Sequence, residues 1–265
     1  MVNLKKFLLI AGPCAIENVE ICDRVAEELT KIQAAHPEIS VVFKSSADKA
    51  NRSTVQGYRG LGIERGLEIL SHVRSRFNLP ITTDFHTPDQ ARLIGRVVDV
   101  IQIPAFLCRQ TDMLQAAAET EKIVSIKKGQ FLSPWDMRHV VEKLRTFGAK
   151  EIIQMERGTS FGYGNLVVDM RSFQIMRENH CPVVYDLTHS LQLPGTGSNE
   201  TGGTREFADT LAHAAIGAGV DGLFIETHPD PSRALCDRET QLPLETLGKR
   251  MDGYLKLYRI IKDLG

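Results

Sequence analysis

The sequence predicts a (β/α)8 barrel, and three observations carry that reading. Eight short apolar, β-branched runs recur along the 265 residues, helical patterns lie between them, and the runs end in polar or charged side chains. Their near-continuous hydrophobicity, without in/out alternation, suits parallel strands buried on both faces. Strand-then-helix units with right-handed crossovers leave a closed barrel or an open doubly wound sheet, and eight units in this length favour the barrel. No linker, charge block or low-complexity stretch marks a second unit, so residues 1–265 are expected to form one catalytic barrel domain.

The runs occupy residues 7–10, 41–43, 81–83, 100–103, 124–126, 151–155, 183–185 and 223–225. The first follows Lys5-Lys6 and imitates a secretion signal, but it is barely long enough for a signal core and Pro13-Cys14 is a poor cleavage site. It is read as the first buried strand. No run approaches the roughly 20 apolar residues that span a bilayer, and a cytoplasmic location is expected. Asn18 is placed to cap a helix reaching Ile32, and residues 63–77 show helical spacing that stops before Asn78-Leu79-Pro80. Residues 111–119 are alanine-rich, and Pro134-Trp135-Asp136 opens a helix reaching Phe147-Gly148, where glycine makes a C-terminal stop. Residues 169–179, 205–217 and 244–263 complete the series.

Hydrophobic residues at 42% and charged residues at 25% are those of an ordinary globular protein. A formal net charge of -1 leaves no global field to attract nucleic acid or an anionic membrane, so anion recognition must come from local clusters. Five cysteines without CxxC spacing argue against disulfides, and Cys22 and Cys181 are read as structural thiols.

Barrel active sites lie at the C-terminal ends of the strands. There the sequence places Cys14, Lys44, Asp84 with His86, Gln102, Lys127-Lys128, Glu156-Arg157, Asp186 with His189, and Glu226 with His228, shortly before Asp237. One subset is cationic: Lys44, Lys49, Lys127, Lys128 and Arg157, with Arg52 and Arg109 farther out. Together they would neutralise two phosphoanions, or a phosphate and a carboxylate, with Asn51, Ser53 and Thr54 as hydrogen-bonding companions. The other subset, Cys14, His189, Glu226 and Asp237, suits a borderline divalent transition metal. A buried thiol beside helix-capping carboxylates accounts for the same residues equally well. Gly57-Tyr58-Arg59-Gly60-Leu61-Gly62 has no strand directly before it and is not a dinucleotide fingerprint. Thr188-His189-Ser190 lacks the nucleophile-elbow sequence of a serine hydrolase.

Several segments resemble the 3-deoxy-D-manno-octulosonate 8-phosphate synthase family. They are Ile10-Ala11-Gly12-Pro13-Cys14-Ala15-Ile16-Glu17, Lys49-Ala50-Asn51-Arg52-Ser53, Gln102-Ile103-Pro104-Ala105-Phe106-Leu107-Cys108-Arg109-Gln110-Thr111, Lys127-Lys128-Gly129-Gln130-Phe131, Glu156-Arg157-Gly158, the run from Asp186 to Gly195, and Glu226-Thr227-His228-Pro229. The resemblance spans essentially the whole chain, in order. It implies condensation of phosphoenolpyruvate with D-arabinose 5-phosphate in a homotetrameric (β/α)8 barrel, supplying the inner core of lipopolysaccharide. The related synthase that uses erythrose 4-phosphate resembles Lys-Pro-Arg-Thr in its second loop, whereas Lys49-Ala50-Asn51-Arg52-Ser53 sides with the arabinose 5-phosphate enzyme.

Members of the family with asparagine at the position of Cys14 work without metal. Members with cysteine use it, with the residues matching His189, Glu226 and Asp237, to bind a divalent metal such as Fe2+, Zn2+ or Mn2+. By the same matching, Lys127 and Arg157 hold the phosphate of phosphoenolpyruvate, and Lys44 and Lys49 lie near its carboxylate and the reacting aldehyde. Asn51, Arg52 and Ser53 hold the pentose phosphate, with Arg109 contributed across a subunit interface. Lys49, His189 and Asp237 are the candidate catalytic groups. Glu239 stands where the family often has serine, which marks this loop as divergent. A sugar-phosphate-binding barrel without catalysis would need the cations but not the Cys14 set.

Overall fold

The computed structural model describes residues 1–52, 54–196 and 202–264. All eight predicted runs form parallel strands: β1 (Phe7–Gly12), β2 (Ile39–Lys44), β3 (Ile81–Asp84), β4 (Val100–Ile103), β5 (Ile123–Lys127), β6 (Ile152–Glu156), β7 (Val183–Asp186) and β8 (Gly222–His228). They pair in chain order, and β8 returns to β1 with Leu8 opposite Gly222 and Gly12 opposite Glu226, which closes the barrel. Closure leaves no unpaired edge on the barrel strands.

Around it stand α1 (Val19–Ala35), α2 (Ile63–Phe77), α3 (Pro88–Gly95), α4 (Thr111–Ala118), α5 (Met137–Thr146), α6 (Arg171–Arg177), α7 (Ala208–Gly217) and α8 (Leu244–Leu264). Asn18 caps α1 as expected, its side-chain oxygen accepting from the Ile21 amide at 2.9 Å. Gly148 ends α5 at a φ of 94°, a left-handed position that glycine takes without strain. The sequence pattern alone did not single out α3, whose buried stripe is only Ala91, Ile94 and Gly95.

Alternate strand residues serve two cores. Phe7, Leu9, Val41, Phe43, Val124 and Ile126 face the helices, while Leu8, Ile10, Val42, Val100, Ile153, Met155, Val184 and Phe224 fill the barrel interior. Both faces are buried, which is why the strands read as unbroken apolar runs. The inner stack ends at Phe224. Above it, the inward positions at the strand ends are polar.

Candidate active site

Strand parity decides which strand-end side chains meet. Lys44, Lys127, Arg157 and Asp84 are inward and line a cavity of about 210 Å³, with Lys49, Asn51, Arg52, His86, His189 and Asp237 also on its wall. Lys128 is one residue past Lys127 and therefore turns outward. Its ammonium donates to the carbonyls of Gly129 and Leu132 and to Thr159 Oγ1, and lies 3.5 Å from Glu156. Lys128 and Glu156 thus form a buried pair outside the cavity, correcting the expectation that Lys128 belongs to the anion-binding group.

Two cations face the cavity as a clamp. Lys127 donates to Asp186 Oδ2 at 2.5 Å and stands 3.7 Å above the centre of the Phe224 ring. Burial lowers its pKa, opposed by the Asp186 charge. Arg157 is also lowered by burial, against the pull of Asp186 and Glu156. Its Nη2 donates to Gln192 Oε1 at 2.7 Å, and its Nη1 has no hydrogen-bond partner. A buried guanidinium on the cavity wall that keeps an unpaired nitrogen has hydrogen-bonding capacity left for an anion.

The second cluster sits beside the clamp. Cys14, Glu226 and Asp237 bring one ligand atom each within 4.8 Å of one another. The Cys14 thiol donates to Asp237 Oδ2 at 3.3 Å. His189 Nε2 lies 3.5 Å from Glu226 Oε1 and 3.9 Å from Asp237 Oδ2. The opposite ring nitrogen of His189 meets Asp186 at 2.9 Å, as does the His189 amide at 3.0 Å, so the ring is held with Nε2 toward the cluster. Cys14, Glu226 and Asp237 thus meet with His189 beside them, brought together from three strand ends and the loop after β8.

Charge at this cluster is finely opposed. Burial alone would raise the Glu226 pKa, but the charges of His189, Lys44 and Lys49 hold it well below the usual carboxylate range. Lys44 donates to Glu226 Oε1 at 2.7 Å and to the Cys14 carbonyl at 3.1 Å, and Lys49 lies 3.8 Å from the same carboxylate oxygen. Burial lowers Lys49, yet its acidic neighbours, Glu226 among them, raise it well above its ordinary value. Burial, contact with Cys236 and the Asp237 charge push the Cys14 thiol well up. Glu226 Oε2 is buried without a hydrogen-bond partner. That orphaned oxygen, beside a thiol, an imidazole and a second carboxylate, is the donor set a divalent transition cation takes.

Asp84 and His86 occupy the β3 end of the cavity, His86 Nε2 lying 3.4 Å from Asp84 Oδ2. Arg52 approaches Asp237 at 4.0 Å. Asn51 stands exposed at the rim, and Ser53 lies outside the described residues. Arg109 is exposed and is not part of its own chain's cavity wall. Ser190 is tied to Tyr185 and to the Leu187 carbonyl, away from any hydrolase-like pairing with His189. Gln192 and Gln241 escaped the sequence reading, because neutral amides carry no charge pattern. Among the described residues, no helix is long and apolar enough to cross a membrane.

A closed barrel with two buried cations on its cavity wall and a mixed thiol, imidazole and carboxylate cluster at its strand ends fits a class: enzymes that handle phosphorylated small molecules. The sequence profile of the DAHP synthetase I family matches residues 3–257. The chain belongs to that family. It is 51% identical over 254 residues to the 2-dehydro-3-deoxyphosphooctonate aldolase of Syntrophotalea carbinolica, covering 96% of this chain and 91% of the relative. The protein of the same name from Rickettsia prowazekii is 51% identical over 262 residues, 99% of this chain and 95% of the relative. That from Trichlorobacter lovleyi is 53% identical over 240 residues, 91% and 88% of the two chains.

Proposed function

We infer that this protein condenses phosphoenolpyruvate with D-arabinose 5-phosphate and water, giving 3-deoxy-D-manno-octulosonate 8-phosphate and inorganic phosphate for lipopolysaccharide synthesis. The observation that carries this reading is the inward pair Lys127 and Arg157 beside the Cys14, His189, Glu226 and Asp237 cluster, in a chain about half identical to relatives named for that product. The erythrose 4-phosphate reaction and the non-catalytic barrel are not favoured.

Two phosphates and a carboxylate cannot share a low-dielectric pocket without compensating cations. Arg157, with its unpaired Nη1, and Lys127 receive the phosphate of phosphoenolpyruvate. Lys49 faces its carboxylate and the incoming aldehyde, while Lys44 keeps Glu226 charged and placed. Asn51, Arg52 and Ser53 take the pentose phosphate, joined by Arg109 of a neighbouring subunit in a homotetramer. The enol carbon bonds to the aldehyde carbon, water adds at C2 of the former phosphoenolpyruvate, and the tetrahedral intermediate expels phosphate. His189 and Asp237 border the reacting groups and are the candidates for moving protons there.

Cys14, His189, Glu226 and Asp237 are the residues that would hold a divalent transition cation such as Fe2+, Zn2+ or Mn2+, which supplies Lewis-acid polarisation of an oxygen when bound. The chain acts as one cytoplasmic catalytic barrel. Assay of phosphate release from phosphoenolpyruvate tests the assignment: arabinose 5-phosphate should be consumed with a specificity constant at least about 100-fold above that for erythrose 4-phosphate, a gap of about 2.7 kcal/mol. Comparable constants for the two sugars, or none with either, would overturn it.

A further inference from the structure

Asp237 lies on a loop of thirteen residues, 229–241, that leaves the barrel after β8 and returns as the two-residue strand Leu242–Pro243 beside Thr227 and His228. Its backbone is left-handed, with a φ of 48°. For a non-glycine residue that conformation persists only where the surroundings impose it, though aspartate tolerates it better than most. A turn imposes it here: the amides of Thr240 and Gln241 both donate to the Asp237 carbonyl at 3.1 Å.

The Gln241 side chain then reaches across to the first strand. Its Oε1 accepts from the Cys14 amide at 3.1 Å, and its Nε2 donates to the Cys236 carbonyl at 2.9 Å. Gln241 is fully buried, so neither bond has water as a ready substitute. One amide therefore joins two segments 227 positions apart in sequence at the point where the Cys14 thiol meets the Asp237 carboxylate. A second tie between the same segments, Glu17 Oε1 accepting from the Leu235 amide at 2.9 Å, involves neither Cys14 nor Asp237.

We propose that Gln241 is a positioning residue for the metal centre, fixing the separation of Cys14 and Asp237 so that both meet one cation. A side chain of this length is needed, because it spans two backbones that β-sheet pairing does not hold together. Without it, Asp237 is carried by a loop end in a left-handed conformation, and Cys14 stays tied through its carbonyl to the Ser46 amide and Lys44 on the β2 side, with its amide no longer bound to the Asp237 loop. The cluster would persist as four donors without a fixed bite. The inference rests on the metal reading above.

The test is Co2+ binding to the chelator-stripped protein, measured by competition against a chelator of known affinity and by the thiolate-to-cobalt absorption band. The parent should bind one Co2+ with that band. Gln241→Met, close to isosteric but without either polar group, should bind about 10–100-fold more weakly with a diminished band, in line with outer-shell substitutions elsewhere. Glu17→Ala, which cuts the second tie and leaves both Gln241 bonds in place, should change affinity less than about threefold, on the additive behaviour expected of sites that share no partner. Gln241→Asn, with both groups one methylene short, carries the same expectation as Gln241→Met and replaces it if the methionine variant does not fold. Parent-like affinity in the Gln241 variants would overturn the proposal, as would equal weakening by Glu17→Ala, since that reports general loop anchoring. A parent that binds no Co2+ would instead defeat the metal reading itself.

Discussion

Arg157 presents a buried guanidinium with one nitrogen on Gln192 and one without a hydrogen-bond partner. Arg157→Ala should remove a charge-assisted hydrogen bond of about 1.5–3 kcal/mol, seen as a loss in kcat/KM for phosphoenolpyruvate with thermal unfolding nearly unchanged. Kinetics equal to the parent's would show that the phosphate is held elsewhere. The strand-end residues were legible in the sequence as a set, but their facing was not: Lys127 and Lys128 are indistinguishable by charge and differ only in parity. Counting by twos from the helix-facing Val124 and Ile126 of the same strand would have separated them, had the two faces been known. Asp84 supplies a pH test. Burial raises its pKa, but His86, Lys44 and Lys49 prevail and hold it far below the usual carboxylate range. A depressed folded pKa contributes stability that is present above the unfolded value, about 3.9, and is lost as pH falls through the folded value. The stability advantage of the parent over Asp84→Asn, followed by urea denaturation, should therefore shrink as pH falls below about 4. A gap that widens below about pH 4 would contradict the ion pairing.

The strands were read from the sequence because burial on both faces leaves an unbroken apolar run. α3 was not, since eight residues with a three-residue buried stripe and a Thr87 cap that makes no side-chain bond give little periodic signal. The loop elements follow tertiary contacts with partners far off in the chain, and local pattern cannot report them. Between β1 and β2 the constraint is close approach. A Cβ on Gly12 would lie 1.8 Å from the Lys44 carbonyl oxygen, so Gly12→Ala must push the two strands apart. We expect a loss of about 1–3 kcal/mol or more in urea denaturation, with weakened metal uptake, because Cys14 and Lys44 ride on the displaced segments. Parent-like stability would mean that the strands give way at no cost.

At the scale of the whole molecule, a chelator should abolish turnover, and Mn2+, Fe2+, Co2+ or Zn2+ should restore it to different degrees, because affinity and competence need not rank alike. Cys14→Asn should retain partial activity that a chelator no longer affects. Full activity of the parent after verified metal removal would reduce Cys14 to a buried thiol. The family and barrel were legible across the entire length, since motifs and strand ends coincide. The grouping of Cys14 with Asp237 was legible from strand-end chemistry as one of two equal readings, and the resemblance decided between them, because no spacing rule links residues from opposite ends of a chain. Beneath all of this lies Phe224, the last ring of the inner stack, with the Lys127 ammonium 3.7 Å above its face, Lys44 at 5.4 Å and the His189 ring at 5.5 Å. It is at once the ceiling of the dry interior and the floor on which the working cations rest. At that level the usual sorting of residues into those that fold a protein and those that operate it has no meaning. A search for variants with altered turnover would return Phe224 substitutions, and so would a search for thermal lability, each reporting the same displaced ring.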